Sequence, residues 1–331
     1  MKTAHFILAL LLTFCCGLTL YFGETPWVEI WQGVANRFQG HSSSWNPLLD
    51  ERLPRLIVIL STGAAMAVSG AVMQSLFHNP LASPSILGTS CGGTLSIVIV
   101  ITLGWQINHP YAIPVAGFAG CLGALLLVYS LSRYRGGIRL NQLILTGIAV
   151  STLLLAMQEA IMYSLRDQWQ LIQTLTEWEA GSTYDRSWKH VHMQLPLTLI
   201  GLAGCWIYRR EIDILALGDE EAINLGVEVQ KVRWRLFLCV ALLTGGAIAA
   251  IGVVSFFGLI LPHMIRKITG PKSEEMFPLC VVGGGITLCI LDFLLRFFEI
   301  RAFSIGNIAA VLGGLFFLAI LMESKKREAL C

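Results

Sequence analysis

Hydrophobic residues run along this chain in long blocks, and polar residues gather in short strips between them. A helix that crosses a bilayer needs about 20 consecutive apolar residues. On that rule the pattern predicts ten spans, near 6–22, 54–77, 86–104, 111–132, 141–163, 190–208, 236–254, 256–268, 278–295 and 305–322. The eighth is short and starts at a Gly-rich stretch. The blocks follow one another almost end to end and leave no room for a soluble domain, so residues 1–331 read as one transmembrane unit. The stretch 52–88 is the most distinctive. Arg52 and Arg55 stand at its outer end, and Gly63, Ala64, Ala65, Ala67, Ser69, Gly70 and Ala71 fill it with small residues. It breaks at Asn79-Pro80 and Pro84 and restarts at Ile86. Small residues let helix backbones approach closely, so this helix is expected to pack against protein on several sides. Irregular backbone at the membrane edge is tolerated only under protein or beside a water-filled path, so the helix and its broken turn read as part of a transport pathway.

Composition agrees with the pattern. Of 331 residues, 55% are hydrophobic and 13% charged, where a soluble domain carries about 25% charged residues. The mean hydropathy is +0.68, which places the chain among integral membrane proteins. A net charge of +2 is too small to imply nucleic acid. The nine cysteines form no C-x-x-C pair and mostly lie inside apolar runs, so they read as small core residues. Lys2 and the apolar run to Phe22 mimic a signal peptide, but no small-residue cleavage motif follows, and a retained first helix is expected. Ten spans put both termini on one side. If that side is the cytoplasm, fifteen of the 23 Lys and Arg fall inside and eight outside, the bias expected of cytoplasmic loops.

Catalytic signatures are missing. There is no G-x-x-x-x-G-K-[ST], so nucleotide is not bound in the P-loop manner, and no H-E-x-x-H or EF-hand loop. The seven histidines are scattered, and His190 and His192 at an interface read as solvated. Ionisable groups inside spans are rare; Glu159, near the outer end of the fifth, and His263, in the eighth, make no proton relay at mid-bilayer depth, which argues for an energy source outside this chain. The longest inside loop, 209–235, contains two units, 213–218 and 219–226, each opening on an Asp and closing on a Gly. These are an N-cap and a helix stop, and they predict two short helices outside the bilayer. Glu220 and Glu221 favour the first turn of the second. Ile212, Leu215, Leu217, Ile223 and Leu225 give the pair an apolar side, suited either to lipid headgroups or to a soluble partner. On the outside, Arg52, Arg55 and Arg296 sit at helix ends, either as lipid anchors or as sockets for a partner's carboxylates, and Asp292 stands one turn before Arg296.

Four ordered stretches then resemble one family. They are R-L-P-R at 52–55, S-G-x-x-x-Q-x-x-x-x-N-P-L-A-x-P at 69–84, L-A-L-G-D-E-E-A-x-x-L-G at 215–226 and F-x-G-L-I-x-P-H-x-x-R at 256–266. From about residue 50 onward the chain is similar to the permease subunits of the iron-siderophore and cobalamin (FecCD-type) class of ABC importers. The resemblance implies an all-α, ten-helix, type II importer permease fold in the bacterial inner membrane, both termini cytoplasmic. It implies a second permease subunit, two cytoplasmic ATPase subunits that bind the ATP and Mg, and a periplasmic or lipid-anchored substrate-binding protein. No cofactor or metal is implied in this chain. The loop at about 212–226 matches the family's coupling helices, with Leu215, Leu217, Gly218, Asp219, Glu220, Glu221, Ala222, Leu225 and Gly226 on the ATPase. Arg52, Arg55 and Arg296 match positions that receive acidic residues of the binding protein. The pathway and gate fall on Gly70, Gln74, Asn79 and Leu81, and on Leu140 and Asn141, where the cobalamin-type relative has small hydroxyl residues. Two departures stand out: Arg301-Ala-Phe-Ser-Ile-Gly306 replaces E-x-P-x-G, and Gly313-Gly314 replaces a Gly-Pro. The function expected is passage of an iron(III)-siderophore-type chelate into the cytoplasm, with cobalamin or haem as alternatives within the family. An ion-gradient-driven secondary transporter is the rival from another class, and a membrane enzyme the weaker third.

Overall fold

The structure, a computed structural model, describes residues 2–21, 26–39, 45–80, 82–134, 137–138, 140–298 and 303–328. Fifteen helices follow one another: α1 (Lys2–Tyr21), α2 (Trp27–Phe38), α3 (Leu53–Leu76), α4 (Thr89–Thr102), α5 (Trp105–Asn108), α6 (Ala112–Leu131), α7 (Leu140–Ser164), α8 (Trp169–Glu179), α9 (Trp188–Ile207), α10 (Arg209–Leu215), α11 (Asp219–Asn224), α12 (Val229–Ile251), α13 (Phe257–Thr269), α14 (Ser273–Phe297) and α15 (Ile305–Glu328). Each of the ten predicted spans falls on one of these helices. Among the described residues, five segments are long and apolar enough alone to cross a membrane: 47–76, 112–131, 142–164, 229–251 and 273–297. α9 and α10 pass together as a sixth, bent by 61°, while 10–21, 89–102 and 305–319 are shorter apolar segments.

The fold is built around α3, which packs against α9, α12, α13 and α14. Every residue of α3 from Ser61 to Leu76 is buried. Glycines make this crowding possible. A side chain on Gly63 would run into the Gly284 carbonyl of α14, and one on Gly70 into the Gly258 carbonyl of α13. The Gly258 oxygen is available there because Pro262, one turn on, has no N–H to give it. The same close approach recurs between Gly92 of α4 and Gly120 of α6. In contrast α7 is only 17% buried and presents Leu145, Ile148, Leu153 and Tyr163 outward.

Several local details depart from the expectations. α12 begins at Val229, seven residues before the apolar run, because Arg233 is buried at 1% exposure and paired with Asp219 at 2.6 Å. The two short helices of the inside loop are α10 and α11, but neither Asp caps them. Gly218 precedes α11, and Asp219 is its first residue, turned to Arg233. Asp213 lies in the last turn of α10, and its carboxylate accepts from the Ser273 N–H at the start of α14. It caps a neighbouring helix rather than its own. Gly226 does stop the chain, at φ 82, a region that favours glycine.

Candidate functional site

Two polar assemblies lie at opposite ends of α14. Its first residue, Ser273, bonds to α10, and Asp292 lies 19 residues on, about 28 Å away at helical rise.

At the far end, Asp292 is fully buried and meets two hydrogen-bond donors and a second cation. Arg55 reaches it from α3 at 2.8 Å, Thr183 from the α8–α9 loop at 2.5 Å, and Arg296 from one turn on at 3.0 Å. Arg55 also lies over the Tyr184 ring, 4.9 Å from its centroid. Arg186 stands nearby, its Nη1 3.0 Å from His190. Burial lowers the Arg186 guanidinium to about 10, with Asp185 opposing the shift and Arg55 adding to it. Arg52 does different work: its Nη1 donates to the carbonyls of Leu20 and Tyr21, at 2.9 and 3.1 Å, and so closes the last turn of α1. Arg52 and Arg55 are each 5% exposed. Arg52 and Arg55 are thus bonded within their own chain. The pattern of charges at helix ends showed the arginines, but not that their partners come from α1 and α14. Of the three, Arg296 is the most open, with a 16% exposed side chain.

At the near end, α10 and α11 form a knob. Ile212, Leu215 and Ala222 face inward and are buried. Leu217, Ile223 and Leu225 are 65%, 63% and 61% exposed. Glu220, Glu221 and Gly226 are exposed around them, and Gly218 and Asp219 half-buried. Three large apolar side chains set in an acidic rim make a surface suited to a partner. The knob is tied to the end of α3: His78, at φ 48 just past that helix, places its Nε2 2.6 Å from the Leu215 carbonyl. Sequence reasoning passed over His78, since a lone histidine inside a motif gives no sign of what it touches.

The predicted pathway residues divide. Gly70 and Gln74 are buried between α3 and α13, with the Gln74 amide donating to the Leu259 carbonyl at 2.9 Å. They hold the core of the subunit, as expected of a small-residue helix that packs against protein on several sides. Asn79 makes the turn beyond it, donating to the Gln74 carbonyl and accepting from the Ala82 N–H. Leu81 and the side chains of Leu140 and Asn141 lie outside the described residues. Arg301 and Ala302 do too, but residues 303–306 of that departure have a structural setting. Ser304 Oγ donates to the Ala180 carbonyl at 2.5 Å, and Gly306 abuts the carbonyls of Ala180 and Val253. Gly313 lies against the Phe256 side chain, with no room for one of its own. Among the described residues no group of three or more His, Cys, Asp or Glu is placed to hold a metal. The eight described cysteines are unpaired, and six of them are buried.

Comparison with known proteins agrees with this geometry. The model of the FecCD transport family matches residues 9–323. The Fe(3+) dicitrate transport system permease protein FecD of Escherichia coli (strain K12) is 33% identical over 328 residues, covering 98% of this chain and 100% of that protein. The hemin transport system permease protein HmuU of Yersinia pestis is 34% identical over 297 residues, 87% of each chain. A solved inward-facing metal-chelate type ABC transporter superposes with a TM-score of 0.82 at 25% identity, covering 96% of this chain and 97% of that one. These relatives are transport permeases. With its all-α architecture and four ordered motifs, the chain belongs to the FecCD transport family, as an ABC importer permease.

Proposed function

We propose that the chain is one of two permease subunits through which an iron(III)-siderophore-type chelate enters the bacterial cytoplasm, driven by ATP hydrolysis in two partner ATPases. The observation that carries the reading is the exposed apolar knob of α10–α11, bonded to the end of α3 at His78 and to the start of α14 at Asp213. Motion imposed on the knob reaches both helices at once. ATP binding draws the ATPases together, the knob follows, and the permease pair exchanges inward- and outward-facing states. Catalysis is left to the partner, which holds ATP and Mg. Both termini and the knob lie in the cytoplasm. A periplasmic or lipid-anchored binding protein delivers the chelate at the Arg55–Asp292–Arg296 end, where Arg296 offers the most accessible charge and Arg52 and Arg55 engage after a local opening.

The test is reconstitution with the ATPase and binding protein encoded nearest this chain, in vesicles loaded with ATP. Ferric hydroxamate, ferric citrate, haemin and cobalamin are offered in turn. ATP-dependent uptake of a ferric chelate, undiminished when proton and sodium gradients are collapsed, is expected. Uptake of haemin or cobalamin alone reassigns the substrate within the family. Uptake that ignores ATP and stops with the gradients overturns the proposal in favour of a secondary transporter.

A further inference from the structure

The break between α12 and α13 lies within the bilayer. α13 has 13 residues, about 20 Å of helix, against a hydrocarbon core of about 30 Å. Its last turn carries Arg266 and Lys267 and leads into Gly270 and Lys272, which mark one membrane surface. Its first turn therefore stops about 10 Å short of the other surface, and tilt only widens the gap. Residues 252–256 are thus irregular backbone at membrane depth, tolerated only under protein or beside water. Phe256 within it has φ 61, an uncommon conformation for a bulky side chain.

Two other backbones meet the break. The Ser182 N–H, just past α8, donates to the Ile251 carbonyl at 2.9 Å. The Ser304 hydroxyl, just before α15, donates to the Ala180 carbonyl. Gly181, Gly252 and Gly306 crowd together here, each against a neighbour's carbonyl. Beside this junction opens a cavity of about 420 Å³, lined by Thr176, Glu179, Ser255 and Asn307 with Val253 and Ala310. A carboxylate, an amide and two hydroxyls at that depth cannot face hydrocarbon, so they face water or a neighbouring subunit. Glu179 is held in place by an uncharged partner: its Oε1 accepts from the Gln158 amide at 2.7 Å, and Gln158, 3% exposed, accepts from Thr94 at 2.8 Å. Among the described residues no cation forms an ion pair with Glu179. Glu179 is the one ionisable side chain in the lining.

We infer that this cavity is a water-filled substrate subsite on the transport pathway, that it takes the hydrogen-bond-donor face of a neutral or cationic chelate, and that Glu179 selects against anionic ones. The inference rests on the permease function proposed above. A ferric trihydroxamate, in which three singly charged ligand groups balance iron(III), meets the condition. A ferric citrate, with uncompensated carboxylates, is repelled.

The experiment uses the complete transporter in vesicles. Asn307→Cys is exposed to membrane-impermeant methanethiosulfonate reagents, one cationic and one anionic, with the unsubstituted protein as background. Modification by both is expected, the cationic reagent being favoured by about tenfold after correction for intrinsic rates. Glu179→Gln keeps the acceptor for Gln158 and removes the charge, so it should abolish that preference. It should also raise ferric citrate uptake relative to a neutral ferric trihydroxamate several-fold. Thr176→Cys, on a different helix, repeats the measurement if Asn307→Cys does not assemble. Cysteines that resist both reagents place the cavity in lipid or under a neighbouring subunit and overturn the inference, as does a charge preference or a chelate ratio unchanged by Glu179→Gln. If the unsubstituted transporter moves neither chelate, the iron-chelate function fails, and the thiol reactions still decide whether the cavity holds water under a negative field.

Discussion

Asp292 accepts from Arg55 and Thr183 and pairs with Arg296 while fully buried near the end of a membrane-spanning helix. Removing one member of a buried ion pair leaves the other charge without compensation and costs about 3–5 kcal/mol. Asp292→Ala is the more damaging change, because two arginines then face each other. Arg55→Ala leaves Asp292 with Arg296 and should cost less. The double variant should recover part of the loss, and thermal unfolding in detergent measures the cycle; strictly additive losses would show that the pair does not act as a unit. Gly70 tests packing instead of charge. Leucine there meets the Gly258 carbonyl, which belongs to a helix backbone and cannot swing aside. Overpacking of this kind costs about 1–3 kcal/mol. We expect Gly70→Leu to insert, since leucine suits lipid, but to lower yield, unfolding temperature and uptake together. Wild-type stability in Gly70→Leu would mean that α3 and α13 do not approach as closely as described.

At the scale of elements, the α10–α11 knob is the part whose loss should spare the fold. Leu217, Ile223 and Leu225 touch solvent over most of their surface, so Leu217→Asp with Ile223→Asp should leave the permease folded. If they anchor an ATPase, each contributes in the manner of an interface hot spot, and the pair should weaken co-purification by at least about tenfold. Gly226→Pro acts through the backbone. Proline fixes φ near −65°, and Gly226 sits at φ 82, so the chain reversal after α11 is lost and ATPase binding with it. ATPase recovered in wild-type amount with both variants would assign the knob to headgroups instead. The turn beyond α3 is the second mechanical element. His78→Ala removes the bond to the Leu215 carbonyl, and Asn79→Ala disturbs the turn that follows. Both should express normally and consume more ATP per substrate moved, read as the ratio of hydrolysis to uptake in vesicles. A ratio equal to that of the unsubstituted transporter would make the turn purely structural.

At the scale of the whole molecule, the buried core and the outward faces separate into different sets of helices. α3, buried along almost its whole length, is surrounded by its own chain, whereas α7 turns most of its apolar side chains outward. A helix that is apolar on the outside must meet lipid or another subunit, so the faces available to a second permease lie around α7 and not around α3. Small residues along α3 do pack it against several neighbours, as its sequence predicts. They mark close backbone contact, and that contact is as useful to a packed core as to a pathway wall. The isolated subunit therefore leaves its polar outer cavity, with Glu179 and Asn307, open on one side.

The amino-acid sequence by itself determined the membrane class, the places of the ten long or apolar helices, the two short helices of the inside loop and the family. Each of these depends on local runs, spacings and stop residues, which a chain carries regardless of its neighbours. Tertiary structure decided which charge meets which. Arg55 and Asp292 are 237 positions apart, Asp213 caps a helix that begins 60 positions later, and Arg52 closes a helix that ends 31 positions earlier. It also decided that Gly70 meets Gly258 of α13, and that Thr176, Ser255 and Asn307 share one cavity with Glu179. Residues so distant in sequence leave no periodic trace of their contact. Only the path of the backbone, bent at 252–256 and turned back after α8, brings them together.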